Sequence, residues 1–134
     1  MNITYIFHSG FAVEGEHCIT VFDYWLDPAN VMPDLLGKGK QVYVFSSHFH
    51  EDHYTSAILQ WKERYPTTPI TYILSRDILK RRRANWDDAD VWMAKGALWS
   101  DDHIMVRAMG SNDSGVSWIV EMEGKRIFHA GDLN

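Results

Sequence analysis

The stretch QVYVFSSHFHEDH, residues 41–53, combines a predicted buried strand with a cluster of histidines and carboxylates. Its first part, Val42 to Phe45, is a run of β-branched and aromatic residues that predicts a buried strand. Its last part, His48 to His53, contains three histidines and two carboxylates within six residues. Functional sites of α/β folds gather beyond the carboxyl ends of strands, so we expect chemistry at this point of the chain.

The histidine cluster predicts a metal site. Imidazole nitrogens and carboxylate oxygens are the usual protein ligands of zinc and related divalent ions. Two residues apart in extended backbone, His48 and His50 point the same way and can bind one ion. Asp52 and His53, after the chain turns, can face a second ion. The alternative, a surface cluster of histidines without function, is the weaker interpretation.

The remaining pattern predicts an α/β fold with a mixed sheet and helices on one face. Glu123-Gly124 is a tight-turn signal that predicts an antiparallel hairpin between the last two strands. Residues 54–64 have the apolar spacing of an amphipathic helix, whereas residues 27–39 show little periodicity. No linker or low-complexity segment divides the chain, so residues 1–134 are expected to form a single domain. Strands are predicted at 3–7, 18–25, 41–45, 70–74, 90–93, 104–108, 116–122 and 126–129.

Composition and charge restrict the class of protein. The 134 residues are 46% apolar and carry a net charge of −5, which disfavours general nucleic-acid binding. We expect no membrane segment and no signal peptide. The only cysteine, Cys18, suits a reducing compartment, so a cytoplasmic location is the expectation. The basic run Lys80–Arg83 is predicted to lie on the solvent face of a short helix, with an anion-binding patch as the less favoured alternative.

Two motifs give the chain a family resemblance. His-x-His-x-Asp-His after a hydrophobic strand resembles the signature of the metallo-β-lactamase superfamily, and residues 127–132 resemble its later strand with a Gly-Asp pair. Residues 8–11 and 110–117 are most similar to the branch that contains ascorbate-6-phosphate lactonase. The resemblance implies a four-layer αββα sandwich, of which this chain supplies the first half. The chain is therefore expected to be truncated at its C-terminus.

The resemblance also implies a function, that of a metal-dependent hydrolase acting on a small-molecule substrate. A metal-activated hydroxide attacks an ester, lactone or phosphoester bond. Asp52 is expected to be catalytic, orienting this nucleophile. The implied cofactor is two divalent ions, most simply zinc, with manganese or iron as alternatives. The implied metal ligands are His48, His50, Asp52, His53 and Asp132, the last bridging the two ions.

The chain departs from the superfamily in ways that keep a second hypothesis open. The resemblance implies a further metal-binding histidine near residues 110–113, where this chain has none. Either the first metal lacks a protein ligand there, or Asp113 or water substitutes. The alternative is a non-catalytic metal-binding half-domain that needs a partner chain, or its missing C-terminal half. Such a half-domain could self-associate through an uncovered sheet face. His8 and His129 are equally consistent with packing and with a place at the rim or in support of the site.

Overall fold

The structure is a computed structural model that describes residues 1–110 and 115–131, and it contains two β-sheets packed face to face. The first sheet is mixed, with the strand order β1-β2-β3-β4-β5-β6. Its first three strands pair antiparallel, and β3 to β6 pair parallel. The strands are β1 Asn2–Phe7, β2 Gly10–Glu14, β3 Cys18–Phe22, β4 Gln41–Ser46, β5 Ile70–Ser75 and β6 Val91–Met93.

Short helices cover one face of this sheet. α1 contains Pro33 in its first turn, and the Asp27 carboxylate accepts hydrogen bonds from the backbone N–H groups of Val31 and Met32 at 2.9 Å. Within the described ranges, no helix has the length and apolar character needed to span a bilayer. The helices are α1 Met32–Leu36, a 3₁₀ helix Ser56–Gln60, α2 Trp61–Arg64, α3 Arg76–Lys80 and a second 3₁₀ helix Trp86–Asp88.

The second sheet is antiparallel, with the strand order β10-β9-β8-β7. Its inner face packs on the first sheet, where the Trp118 ring stacks on Phe45 with 5.3 Å between centroids. Glu123 and Gly124 both have positive φ, 49° and 77°, which is the backbone of a two-residue hairpin turn. The predicted hairpin is therefore confirmed. The strands are β7 Leu98–Ser100, β8 Ile104–Gly110, β9 Val116–Met122 and β10 Lys125–His129.

The observed layers confirm the predicted fold class. A helix layer, a mixed sheet and a second sheet correspond to three of the four layers of an αββα sandwich. β3 and β4 are apolar almost throughout because both faces of the first sheet are covered, by helices on one side and by the second sheet on the other. This burial fixes the position of the residues that follow the two strands.

The structure differs from the local predictions at five places. β2 and β7 are not among the predicted strands, and the strand predicted at 18–25 ends at Phe22. The helix predicted at 54–64 is a 3₁₀ segment followed by one turn of α-helix, and the segment 27–39 contains α1. The two missed strands are short hairpin partners, five and three residues long, and their sequences show no clear alternation.

The Cys18 thiol is fully buried at the start of β3. Burial, followed by the negative charge of Glu123, raises its pKa to about 12. We therefore expect Ellman's reagent to modify Cys18 only in guanidinium chloride, since the thiolate is the reactive form. An exposed cysteine introduced by Ser100→Cys in a Cys18→Ala background serves as the control, which should react in the folded protein. Equally fast reaction of Cys18 in the folded protein would contradict this burial.

Candidate metal centre

The two histidines at the end of β4 face each other. His48 is buried, whereas His50 is exposed. The His48 Nε2 and His50 Nδ1 atoms lie 2.8 Å apart. Two ring nitrogens at this distance either share a proton or direct both lone pairs at one cation. The prediction that His48 and His50 point the same way is consistent with this geometry.

Asp52 and His53 form a second pair on the same side of the sheet edge. The backbone N–H of His53 donates to the His50 carbonyl at 2.9 Å, which closes the turn after β4. The His53 Nε2 atom lies 3.8 Å from Asp52 Oδ1, and the His48 and His53 ring centroids are 5.7 Å apart. His53 is buried, whereas Asp52 is partly exposed. The His48–His50 and Asp52–His53 pairs therefore present nitrogen and oxygen atoms that can bind a metal at a partly solvent-accessible edge of the sheet.

Asp23, which the sequence analysis did not identify, is fully buried between these elements. It follows β3 directly with a φ of +48°, a left-handed conformation that aspartate tolerates better than most residues. Its carboxylate accepts hydrogen bonds from the Ser47 backbone N–H at 2.7 Å, the Ser47 hydroxyl at 2.5 Å and His53 Nδ1 at 2.8 Å. Asp23 thus fixes the His53 ring with Nε2 turned towards Asp52.

Asp77 orients the ring of His48 as Asp23 orients the ring of His53. It lies in the first turn of α3, is buried, and accepts a hydrogen bond from the Phe49 backbone N–H at 3.0 Å. The His48 Nδ1 atom lies 3.2 Å from Asp77 Oδ2, so Nε2 of His48 is the nitrogen directed at His50. A histidine that ligates a metal usually has a carboxylate or carbonyl on its other ring nitrogen, which fixes its tautomer and orientation.

The second sheet supports the motif from the opposite side. The Val116 backbone N–H donates to the Ser47 carbonyl at 2.8 Å. A Cβ atom on Gly115 would lie 2.1 Å from the Ser47 carbonyl and 2.9 Å from His48 Nδ1. Gly131, with a φ of +70°, would place a Cβ atom 2.4 Å from the Val116 carbonyl. Both positions require glycine because the backbone approaches the motif this closely.

His129 is buried and belongs to the support of the site. Its Nε2 atom is 2.8 Å from the Ser9 carbonyl, and its Nδ1 atom accepts a hydrogen bond from the Gly131 backbone N–H at 3.1 Å. This Nδ1 atom lies 3.9 Å from the Asp23 carboxylate. His8, in the adjacent turn, is exposed and packs its ring against Phe7 and Trp25.

The basic run reaches the site. Its side chains are exposed as predicted, but α3 ends at Lys80, so Arg81 to Arg83 do not lie on a helix face. The Arg81 guanidinium lies over the Phe49 ring, 4.6 Å from its centroid. Arg83 donates a hydrogen bond to the Phe49 carbonyl at 2.9 Å. Phe49 separates the two facing histidines in sequence, so these arginines border the predicted metal site. His17 and His103 are exposed and belong to no such group.

The arrangement of the described residues fits a divalent metal. In His48 and His53, the two buried histidines of the motif, a carboxylate faces Nδ1, and Nε2 is directed at another atom that can bind a metal. This is the usual orientation of a ligating imidazole. Within residues 1–110 and 115–131, no three side chains that can bind a metal converge into one cluster. The structure therefore shows two pairs of such side chains rather than a complete ligand set. The predicted residues Asp113 and Asp132 lie outside the described residues.

Comparison with known proteins gives one curated relative. The chain is 27% identical over 139 residues to a UPF0173 metal-dependent hydrolase of Korarchaeum cryptofilum, a match that covers 98% of this chain and 60% of the relative. The chain therefore spans about three fifths of that protein's length. No protein-family profile matches the chain.

Two solved structures share the fold. CmlA, a diiron β-hydroxylase of Streptomyces venezuelae, is 16% identical and superposes with a TM-score of 0.70 over 98% of this chain and 29% of its own length. A metallo-β-lactamase of Cronobacter sakazakii is 17% identical, with a TM-score of 0.62 over 89% of this chain and 56% of its own. At these identities the likeness establishes the fold alone.

Replacing Asp23 with asparagine tests its role as the support of His53. Asp23→Asn keeps the size of the side chain but removes the charge that accepts three hydrogen bonds. We expect divalent-metal affinity to fall about 10–100-fold and the free energy of unfolding to fall by about 1–3 kcal/mol. Competition with a chromophoric chelator and chemical denaturation measure the two effects. Asp34→Asn, at an exposed position of α1, is the control, and an unchanged metal affinity in Asp23→Asn would contradict the assignment.

Proposed function

We propose that this chain, whose fold is that of the metallo-β-lactamase proteins, belongs to a metal-dependent hydrolase that cleaves an ester, lactone or phosphoester bond. The observation that carries the proposal is the facing pair His48 and His50 beside His53, with buried carboxylates behind two of the three rings. The similarity to a named metal-dependent hydrolase supports it. Since the chain spans three fifths of that relative, the activity is proposed for the whole protein.

The proposed cofactor is two divalent ions. His48 and His50 would hold one ion, and Asp52 and His53 would contribute to the second. By resemblance, Asp132 is the shared ligand of both. A ligand set rich in imidazole favours zinc, with manganese and iron as alternatives, because selection among these ions depends on availability as well as on ligand type.

The chemistry divides between the ions and the protein. Bound divalent ions lower the pKa of water towards about 7 and polarise the electrophilic oxygen of a substrate. Asp52, which is partly exposed beside His53, would accept a hydrogen bond from the attacking water and so orient it. Asp23 and Asp77 hold their histidines in one tautomer. The preorganised ligands therefore need little rearrangement when a substrate arrives.

The proposed substrate is a small molecule, and the expected compartment is the cytoplasm. A net charge of −5 does not favour a polyanionic nucleic acid. Cys18 is a buried free thiol, which suits a reducing environment.

The substitution His50→Ala tests the proposed function. It removes the exposed member of the facing pair without touching the core, so the fold should persist. We expect metal content by elemental mass spectrometry to drop by at least one ion per chain relative to wild type. Hydrolysis of chromogenic ester and phosphodiester substrates should fall to the level of the chelated wild type. His103→Ala, an exposed histidine in the loop before β8, is the matched control and should leave both measurements unchanged.

Full activity and metal content in His50→Ala would contradict the proposal. Turnover by the wild type that survives chelation would do the same, because the proposed reaction requires the ions.

A second candidate is a non-catalytic metal-binding half-domain that pairs with another copy of itself. The observation that favours it is the outer face of the second sheet, where large apolar side chains are exposed. Cross-strand register places Ile119 between Arg107 and Phe128 on this face, and Met105 next to Glu121. Exposed apolar patches of this kind are commonly interfaces. The exposed large apolar side chains of this sheet are Leu98, Met105, Met109 and Phe128.

Introducing positive charge on the outer face of the second sheet tests the second candidate. We expect sedimentation velocity to show concentration-dependent association of the wild type that is abolished by Met105→Lys with Phe128→Lys, because burying a lysine at an interface is costly. Ile3→Lys with Tyr5→Lys, at exposed apolar positions on β1, is the control and should associate like the wild type. A wild type that stays monomeric at every concentration would rule out this candidate.

A further inference from the structure

His50 differs from the other two histidines of the motif in what holds its ring. A buried carboxylate faces Nδ1 of both His48 and His53. His50 is exposed, and within the described ranges no hydrogen bond or ion pair joins its ring to a carboxylate. An exposed side chain that ligates a metal loses rotational freedom on binding unless neighbouring groups already hold it. The orientation of His50 therefore depends on other contacts.

Phe49 makes the closest ring contact with His50. The two ring centroids are 4.3 Å apart, with an angle of 51° between the ring planes. The Phe49 ring also lies 4.8 Å from the ring centroid of His48 and packs on the core between the first sheet and the helices. Because Phe49 contacts both rings, its position determines how Nε2 of His48 and Nδ1 of His50 are aligned, 2.8 Å apart.

Phe49 is held at three points by side chains of α3 and of the turn that follows it. Its backbone N–H donates to the Asp77 carboxylate at 3.0 Å, and its carbonyl accepts a hydrogen bond from the Arg83 guanidinium at 2.9 Å. The Arg81 guanidinium lies over its ring, 4.6 Å from the centroid. A guanidinium group suits both contacts, because it is planar, permanently charged and rich in N–H donors.

The way in which α3 ends brings the two arginines to Phe49. The Arg83 backbone N–H donates to the Ile78 carbonyl at 3.0 Å, and Arg82 has a φ of +59°. This hydrogen bond and the left-handed residue before its donor define a Schellman end. Ile78 is fully buried, so the turn is anchored in the core. Arg81 and Arg83 flank the left-handed residue and both contact Phe49, whereas within the described residues the Arg82 side chain makes neither contact.

We propose that Arg81 and Arg83 are positioning residues of the metal centre, which orient His50 by holding Phe49. Their stacking contact and hydrogen bond do for His50 what the carboxylates of Asp77 and Asp23 do for the two buried histidines. The inference rests on the proposed function for the role of His50 as a metal ligand. The alignment of the rings depends neither on the metal nor on turnover.

Charge and positioning affect metal affinity in opposite directions. Two positive charges close to a divalent cation repel it, so their removal on electrostatic grounds leaves the affinity unchanged or raises it. Loss of the groups that orient a ligand lowers the affinity instead. The direction of the change therefore separates a positioning role from a merely electrostatic one.

Zinc affinity, measured by competition with a chromophoric chelator, tests the proposal. We expect Arg81→Ala with Arg83→Ala to bind zinc about tenfold more weakly than the wild type. Lys80→Ala with Arg82→Ala is the matched control, because it removes the same charge from neighbouring exposed positions, and it should bind zinc as tightly as the wild type or tighter. Chemical denaturation of the metal-free proteins should give similar midpoints for both variants, since all four side chains are exposed.

Aromatic ¹H–¹³C NMR spectra of the metal-free proteins give a second readout. The ring current of Phe49 acts on the ring protons of His50, so their chemical shifts report how the two rings are placed. Arg81→Ala with Arg83→Ala should move the Hδ2 and Hε1 signals of His50. The ring signals of His53, which hydrogen bonds to a different carboxylate, should change much less.

Two results would overturn the inference. One is a zinc affinity of Arg81→Ala with Arg83→Ala that equals or exceeds that of the control variant. The other is a set of His50 signals that stays at the wild-type position, or moves no more than the His53 signals, which would assign the arginines a general structural role. A wild type that binds no zinc would count against the proposed function, whereas the ring signals of the metal-free protein decide the positioning in either case.

Discussion

The candidate site depends above all on the buried carboxylate of Asp23. This one side chain joins the end of β3 to the residues after β4, through the Ser47 N–H, the Ser47 hydroxyl and His53 Nδ1. A buried carboxylate is stable only when hydrogen bonds compensate its lost hydration, so the three donors have to stay in place. The geometry that stabilises Asp23 is therefore the geometry that orients His53.

The rest of the fold supports the same region, the carboxyl ends of β3 and β4. Parallel pairing of β3 with β4 brings Asp23 and Ser47 to one edge of the sheet. The second sheet then closes on this edge, where Val116 donates to the Ser47 carbonyl and Gly115 allows the backbone to approach His48. Short helices and hairpins suffice for this because the site residues sit on the ends of buried strands. Sites built on such rigid elements hold their ligands more precisely than sites on free loops.

The sequence indicates the proposed ligand cluster but not the residues that support it. His48, His50, Asp52 and His53 are adjacent in sequence, so their spacing alone indicates a site. Asp23 and Asp77 are 25 residues or more from the histidines that they contact in three dimensions. Nothing local distinguishes them from other aspartates, because their role arises from parallel strand pairing and from the entry of α3. The local signal for Asp23 is a buried strand that ends in a carboxylate. The predicted strand instead extends past Asp23 to residue 25.

The basic run, Lys80 to Arg83, also has tertiary contacts that the sequence alone does not predict. The side chains of Lys80 to Arg83 are exposed as predicted, although only Lys80 belongs to the helix. Exposure alone does not reveal where these side chains point. Only the tertiary structure brings the Arg81 guanidinium onto the Phe49 ring. A charge run whose pattern is that of an ordinary solvated helix face can thus border a candidate metal site.

Histidine ring-nitrogen NMR with ¹⁵N-labelled protein and a zinc titration tests the central claim most directly. We expect zinc to shift the Nε2 resonances of His48 and His53 and the Nδ1 resonance of His50, since each of these nitrogens faces another atom that can bind a metal. The Nδ1 atoms of His48 and His53 should keep their hydrogen-bonded signals beside Asp77 and Asp23. Zinc that leaves these rings unchanged, or perturbs His17 and His103 to the same extent, would contradict a metal centre at this edge.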